Sequence, residues 1–157
     1  MSTVILRRDV LPETRRSLTH KFLIGTHEGY LTVGLFPDGR PGEIFLKMSK
    51  EGSTLSGLLQ GFCRAFSLAL QHGLSVRDAA ERFRGMRFEP SGPTNNPRIP
   101  EASSILDYVA RYLQLHFVPE EWVPEVGGGV PRGTIGGSAS TPRGSAPPER
   151  PFASGAD

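Results

Sequence analysis

The segment 27–57, HEGYLTVGLFPDGRPGEIFLKMSKEGSTLSG, constrains the fold more than any other part of the chain, because two strand patterns, a turn and a helix start follow one another with no spare residues. Thr32, Val33, Leu35 and Phe36 favour extended backbone, and Pro37-Asp38-Gly39 is turn chemistry. Residues 43–48 then alternate polar and apolar side chains, the two-residue period of a half-buried strand. Gly52-Ser53-Thr54 offers hydroxyl caps just ahead of Leu55, Leu58, Leu59, Phe62, Phe66 and Leu70, whose three-and-four spacing marks one face of a helix.

The flanking sequence extends this core in both directions. Residues 1–17 carry Arg7, Arg8, Arg15 and Arg16 around Leu11-Pro12 without sustained periodicity and read as an extended arm. A strand over 19–24 and a hinge at 25–27 precede the two strands above, which makes an antiparallel meander. The long helix over 53–71 stops at His72-Gly73, where glycine accepts a left-handed conformation. A second helix is expected over 76–83 behind Ser75 as N-cap, with Asp78 completing an approximate capping box. Residues 86–89 read as a short strand, and 90–97, with three prolines, as a loop without regular structure. A third helix starts near Ser103, buries Ile105, Tyr108, Val109, Tyr112, Leu113 and Phe117, and ends before Pro119. The expected class is α+β: a domain over 18–120 with a small antiparallel sheet of three to four strands and about three helices packed on one face. Residues 121–157, rich in glycine, proline and serine, are expected to be a disordered tail.

Counting excludes several chemistries. Cys63 is the single cysteine, so an intramolecular disulfide, a CxxC redox pair and a cysteine zinc site cannot form, and its place on the apolar side of the long helix makes it a small buried hydrophobe. A formal charge of +2 is compatible with an anionic partner but far below the density of a nucleic-acid binder. No apolar run approaches the ~20 residues of a membrane span, and the first residues lack the apolar core of a signal peptide. A cytoplasmic protein without a membrane partner is the expectation.

Among candidate sites, Lys47, Lys50 and the Gly52-Ser53-Thr54 helix start combine ammonium groups, hydroxyls and backbone N–H groups that suit an anion or nucleotide. The Gly-rich spacing of a P-loop is missing, and an ordinary N-cap beside two solvated lysines is the competing explanation. His20, His27 and Glu28 invite a metal or acid–base role, but His20 shares a strand face with Phe22 and Ile24 and is read as a hydrogen-bonded structural histidine; His72 and His116 sit at helix ends, where a cation complements the dipole. Gly57, Gly61 and Ala65 recur every four residues on the long helix, and each glycine there costs roughly 1 kcal/mol against alanine. Close packing on the sheet or third helix, or a surface for a partner protein shared with Arg15 and Arg16, offsets that cost. Neither a Gly-x-Ser-x-Gly elbow nor a metalloprotease histidine pair is present, so no catalytic residue and no metal ligand is assigned. The polar cluster Phe88-Glu89-Pro90-Ser91-Gly92 with Thr94 and Asn95 is read as a partner-facing edge.

Several blocks in order carry a more specific signal: Thr19-His20-Lys21-Phe22, His27-Glu28-Gly29-Tyr30, residues 38–45 (DGRPGEIF), residues 50–58 (KEGSTLSGL), residues 67–73 (SLALQHG), residues 87–92 (RFEPSG), Asn96-Pro97 and residues 104–108 (SILDY). Over about residues 10–118 they resemble the C-terminal, TSCPD-type domain of adenosylcobalamin-dependent (class II) ribonucleotide reductases. The resemblance implies a place in the machinery that reduces ribonucleoside diphosphates, with a catalytic subunit of that reductase as partner, a nucleotide as a further candidate, and adenosylcobalamin in the partner rather than in this chain. One cysteine cannot serve as both radical carrier and dithiol reductant, and the Thr-Ser-Cys-Pro-Asp signature and a C-terminal CxxC are missing. The expectation is an accessory domain or small subunit, encoded apart from the catalytic barrel, that supports assembly or regulation. The competing class is a free-standing nucleotide or single-stranded nucleic-acid binding module.

Overall fold

Apolar–polar alternation over residues 17–48 dictates a sheet with one buried face. The computed structural model, which describes residues 7–119, builds that sheet from β1 (Ser17–Ile24), β2 (His27–Leu35) and β3 (Pro41–Met48). Two more strands, β4 (Gly92–Asn96) and β5 (Ile99–Ala102), extend it, and three helices follow the chain order: α1 (Ser53–Gln71), α2 (Val76–Phe83) and α3 (Ile105–Phe117). All pairings are antiparallel in the order β3-β2-β1-β4-β5, so the class is α+β with five strands. The segment 121–157 assigned to a tail, and residues 1–6 of the arm, lie outside the described residues.

Phe22, Ile24, Leu31, Val33, Ile44, Leu46 and Met48 are buried on the inner face against Leu59, Cys63, Phe66 and Leu70 of α1 and Tyr108, Tyr112 and Leu113 of α3. Each large apolar side chain so buried contributes roughly 1.5–3 kcal/mol. Gly29 shows how tightly this layer closes: a Cβ there would come within 2.5 Å of both the Phe22 ring and Met48 Sδ. The outer face carries polar side chains, with Thr19 beside Thr32 and Lys21 paired to Glu28 at 2.8 Å, together with the exposed rings of Tyr30 and Phe45.

α1 covers the open edge of β3 with side chains. Gln71 Nε2 donates to the Gly42 carbonyl (2.9 Å), Ser67 Oγ accepts from the Ile44 N–H (3.0 Å), and the Leu46 N–H bonds the Cys63 sulfur. Four helical residues rise about 6.0 Å and two strand residues about 6.8 Å, so positions 63, 67 and 71 stay in step with 46, 44 and 42. Edge groups that would otherwise invite strand addition are thereby satisfied.

α2 is capped as expected, Ser75 Oγ accepting from the Asp78 N–H (3.1 Å), and Gly73 stops α1 at φ +97°. Four expectations are corrected. The Ser53 and Thr54 hydroxyls do not cap α1; Gly52 is its N-cap and carries no side chain to do so. Leu58 is 68% exposed, because it lies just outside the arc that faces the sheet. Residues 86–89 form no strand. Residues 92–96 do, despite their prolines, because few ladder bonds are needed: β4 meets β1 at Ile24↔Thr94, the Pro93 carbonyl accepts from Gly25, Asn95 Oδ1 accepts from the Leu23 N–H (2.9 Å), and the ladder to β5 is interrupted between Pro93 and Asn96.

The described part of the arm docks on its own domain. The Asp9 N–H donates to the Gln71 carbonyl, Arg8 Nε to Gln71 Oε1 (2.7 Å), and Arg15 pairs with Glu43.

Candidate functional site

The turn between β3 and α1 places Lys50 in the left-handed region at φ +60°, a conformation that stores strain in a side-chain-bearing residue. Lys50 and Gly52 line a cavity of about 290 Å³ with His27, Glu51 and Glu89. Lys47 lies on the outer face of β3, opposite Tyr30, and neither it nor Ser53 or Thr54 lines the cavity. Of the five candidate anion-binding residues only two therefore share a concave surface, and two carboxylates stand beside them. Glu51 Oε2 is buried without a hydrogen-bond partner among the described residues.

The stripe on α1 faces outward. A Cβ added at Gly57 or Gly61 meets nothing within 4 Å among the described residues, so packing on the sheet or on α3 does not account for these glycines. Ala65 is exposed beside them, and Leu58 and Leu68 add exposed apolar surface to the same helix. Of the two arginines grouped with this stripe, Arg15 is paired with Glu43, and exposed Arg16 holds the Leu35 N–H through its carbonyl.

A third constellation escaped the sequence reading. Tyr108, Tyr112 and His116 recur every four residues on α3, and His20 of β1 projects from the sheet onto the same stripe. Tyr112 is stacked between the His20 ring (4.2 Å) and the His116 ring (4.0 Å). Asn96 Oδ1 accepts from the Arg98 N–H (3.0 Å), which turns its amide nitrogen toward Tyr108. That hydroxyl accepts a hydrogen bond from Asn96 Nδ2 (3.2 Å) and shares one with His20 Nε2 (2.8 Å). Burial, then the charge of His116, holds His20 below its ordinary pKa, which favours the neutral imidazole. The structural role expected for His20 is thus realised, and His20 and His27 do not converge, since His27 sits at the turn opposite Ile24 while His20 lies four residues farther along β1, opposite Leu31. The signal present in the sequence was the three-ring periodicity of α3, which a core reading absorbs completely.

Burial pushes the Cys63 thiol up to about 11, which leaves it protonated and unreactive at neutral pH. Among the described residues no three His, Cys, Asp or Glu side chains come together to hold a metal ion, and no helix is long and apolar enough to cross a membrane.

Comparison with known proteins points to one family. The TSCPD domain model matches residues 5–117. Over 136 residues the chain is 47% identical to a vitamin B12-dependent ribonucleotide reductase of Rhodopirellula baltica, a match that covers 86% of this chain and 13% of that protein. Similar reductases of Streptomyces avermitilis (46% identity, 73% of this chain, 12% of the relative) and Bradyrhizobium diazoefficiens (41%, 73% and 9%) align over 114 and 116 residues. The chain therefore spans between 9% and 13% of the length of these three curated relatives. No solved structure matches it.

Proposed function

We propose, from the premise that this chain belongs to the TSCPD domain family, that it acts as an accessory domain or small subunit of a vitamin B12-dependent (class II) ribonucleotide reductase. Its task in this reading is assembly or regulation, and the reduction of ribonucleotides is performed by the catalytic part of that enzyme. The observation that carries the reading is identity of 41–47% over most of this chain to a small section of three such reductases. The exposed face of α1 supports it physically. Two glycines that pack on nothing among the described residues are an avoidable cost in an isolated helix, and they leave its backbone open to close approach by another chain. Leu58 and Leu68 supply apolar area for the contact. Adenosylcobalamin belongs, in this reading, to the catalytic partner.

The test is reconstitution. The catalytic portion of a class II reductase is purified with and without this chain, and complex formation and ribonucleoside diphosphate turnover are measured. A stable complex whose assembly or rate responds to the chain is expected; a reductase that ignores it refutes the proposal.

A further inference from the structure

An open cavity of about 910 Å³ lies between the β2–β3 turn, the α1–α2 junction and the end of α3. Buried Leu70 forms part of its wall, and Leu74, Val76 and Phe117 stand half-buried around it. Val118 and Pro119, where the described residues end, belong to the same wall. We propose that this cavity is the docking site of the segment that follows, residues 120–123 (EEWV), with the Trp122 side chain as its anchor.

Three features carry the assignment. The first is where the chain leaves the described structure. Trp122 lies three residues past Pro119, a span of at most about 10 Å, and a sphere of the cavity's volume is about 12 Å across, so the tether keeps the indole within reach of the apolar wall. The second is chemistry. Leu74, Val76 and Phe117 pack on the core with one side and leave the other accessible, an apolar concavity that a large ring covers while its single N–H stays at the rim. Trp122 is followed by one further aromatic residue, Phe152, which no short tether places here. Arg40 on the rim is already held by Asp38 and Asp9, so the contact is apolar rather than ionic. The third is linkage. Attachment through Pro119 makes docking intramolecular, at an effective concentration on the order of mM, and walls held by the core before docking lower the entropy lost in it. A single indole then ties the α1–α2 junction to the end of α3.

Docking here is independent of the reductase reading, because it needs no partner. Trp122 is the single tryptophan, so the fluorescence of the full chain reports it alone. Emission to the blue of N-acetyltryptophanamide and several-fold slower quenching by acrylamide are expected, both unchanged on dilution. Nuclear Overhauser contacts from the indole protons to the Leu74 and Val76 methyls fix the location. Leu74→Ser and Val76→Ser each shift the emission toward that of free indole, with a circular dichroism melting curve confirming the fold of each variant; where a variant does not fold, the Overhauser contacts in the parent chain decide. Water-like emission in the parent, a blue-shifted indole whose Overhauser contacts lie on other residues, or unchanged emission in the folded wall variants overturns the proposal. A blue shift lost on dilution as a dimer dissociates gives the cavity to the segment of a second copy, and a shift that appears only on adding the catalytic portion of a reductase gives Trp122 to that partner; either result overturns docking within one chain.

Discussion

Replacing Gly57 and Gly61 together by alanine separates what α1 does for the fold from what it does for a partner. Neither new Cβ meets an atom within 4 Å among the described residues, so the substitution adds no clash. Both positions lie within the 19 residues of α1, where exchanging glycine for alanine restores about 0.8–1.0 kcal/mol of backbone entropy and backbone shielding. The methyls point to solvent, share no packed neighbour and add independently, which gives about 2 kcal/mol. For a domain of this size that raises the melting temperature by on the order of 10 °C. Urea unfolding followed by circular dichroism reads the gain as a higher midpoint with an unchanged slope, since the buried surface is the same. In the reductase reconstitution the same variant binds its partner at least about tenfold more weakly, because two methyl groups hold the facing backbone away. A lower midpoint shows that the glycines pack on something and refutes the structural reasoning. A higher midpoint with undiminished partner binding removes the α1 face from the proposed interface.

Three further outcomes follow from the packing. Asp107, fully buried, accepts from the Gly85 N–H (2.7 Å), the Ser103 N–H (3.1 Å) and Arg111 Nε (3.0 Å), so Asp107→Asn turns an amide against these donors and costs about 2–4 kcal/mol in chemical denaturation. Burial alone would raise the Asp107 pKa, but the two N–H groups and the Arg111 charge together hold it below the ordinary 3.8. A depressed carboxyl stabilises above its unfolded value, so the gap between parent and variant is constant above about pH 5 and narrows as pH falls below 3.8; a gap independent of pH refutes the assignment. Cys63 reacts with a thiol reagent at pH 8 only at the rate of global unfolding, and labelling as fast as a free thiol shows that the α1–β3 seam is open. Lys50→Gly relieves a left-handed φ and raises stability by roughly 1 kcal/mol, and a lower unfolding midpoint would show that the lysine side chain contributes more than its backbone costs.

The extent to which the fold could be read in advance follows the range of the interactions that decide each part. α1 and α2 begin and end where Gly52, Ser75 and Gly73 place them, and β1 to β3 follow their two-residue alternation, because caps, turns and periodicity act within a few residues. β4 was missed because its strand character comes from Ile24, Gly25 and Leu23, some seventy positions upstream, which supply bonds that no local rule for Pro93 includes. The candidate anion-binding residues Lys47, Lys50, Gly52, Ser53 and Thr54 are near neighbours in sequence, but strand alternation puts Lys47 on the outer face of the sheet, while Lys50 and Gly52 share a concave wall with Glu51 and Glu89.

The sequence by itself determined the α+β class, the buried faces and, through blocks of identity in order, the family, since each is written in local pattern or in inherited residues. Only the tertiary structure decided which way the stripe of Gly57 and Gly61 faces, and that His20, Asn96, Arg98, Tyr112 and His116 share one cavity. A helix pattern specifies that small residues lie on one face but not what stands opposite that face. Convergence of side chains from β1, the β4–β5 turn and α3 depends on the register and crossing of elements nearly a hundred residues apart, which is set when the core packs.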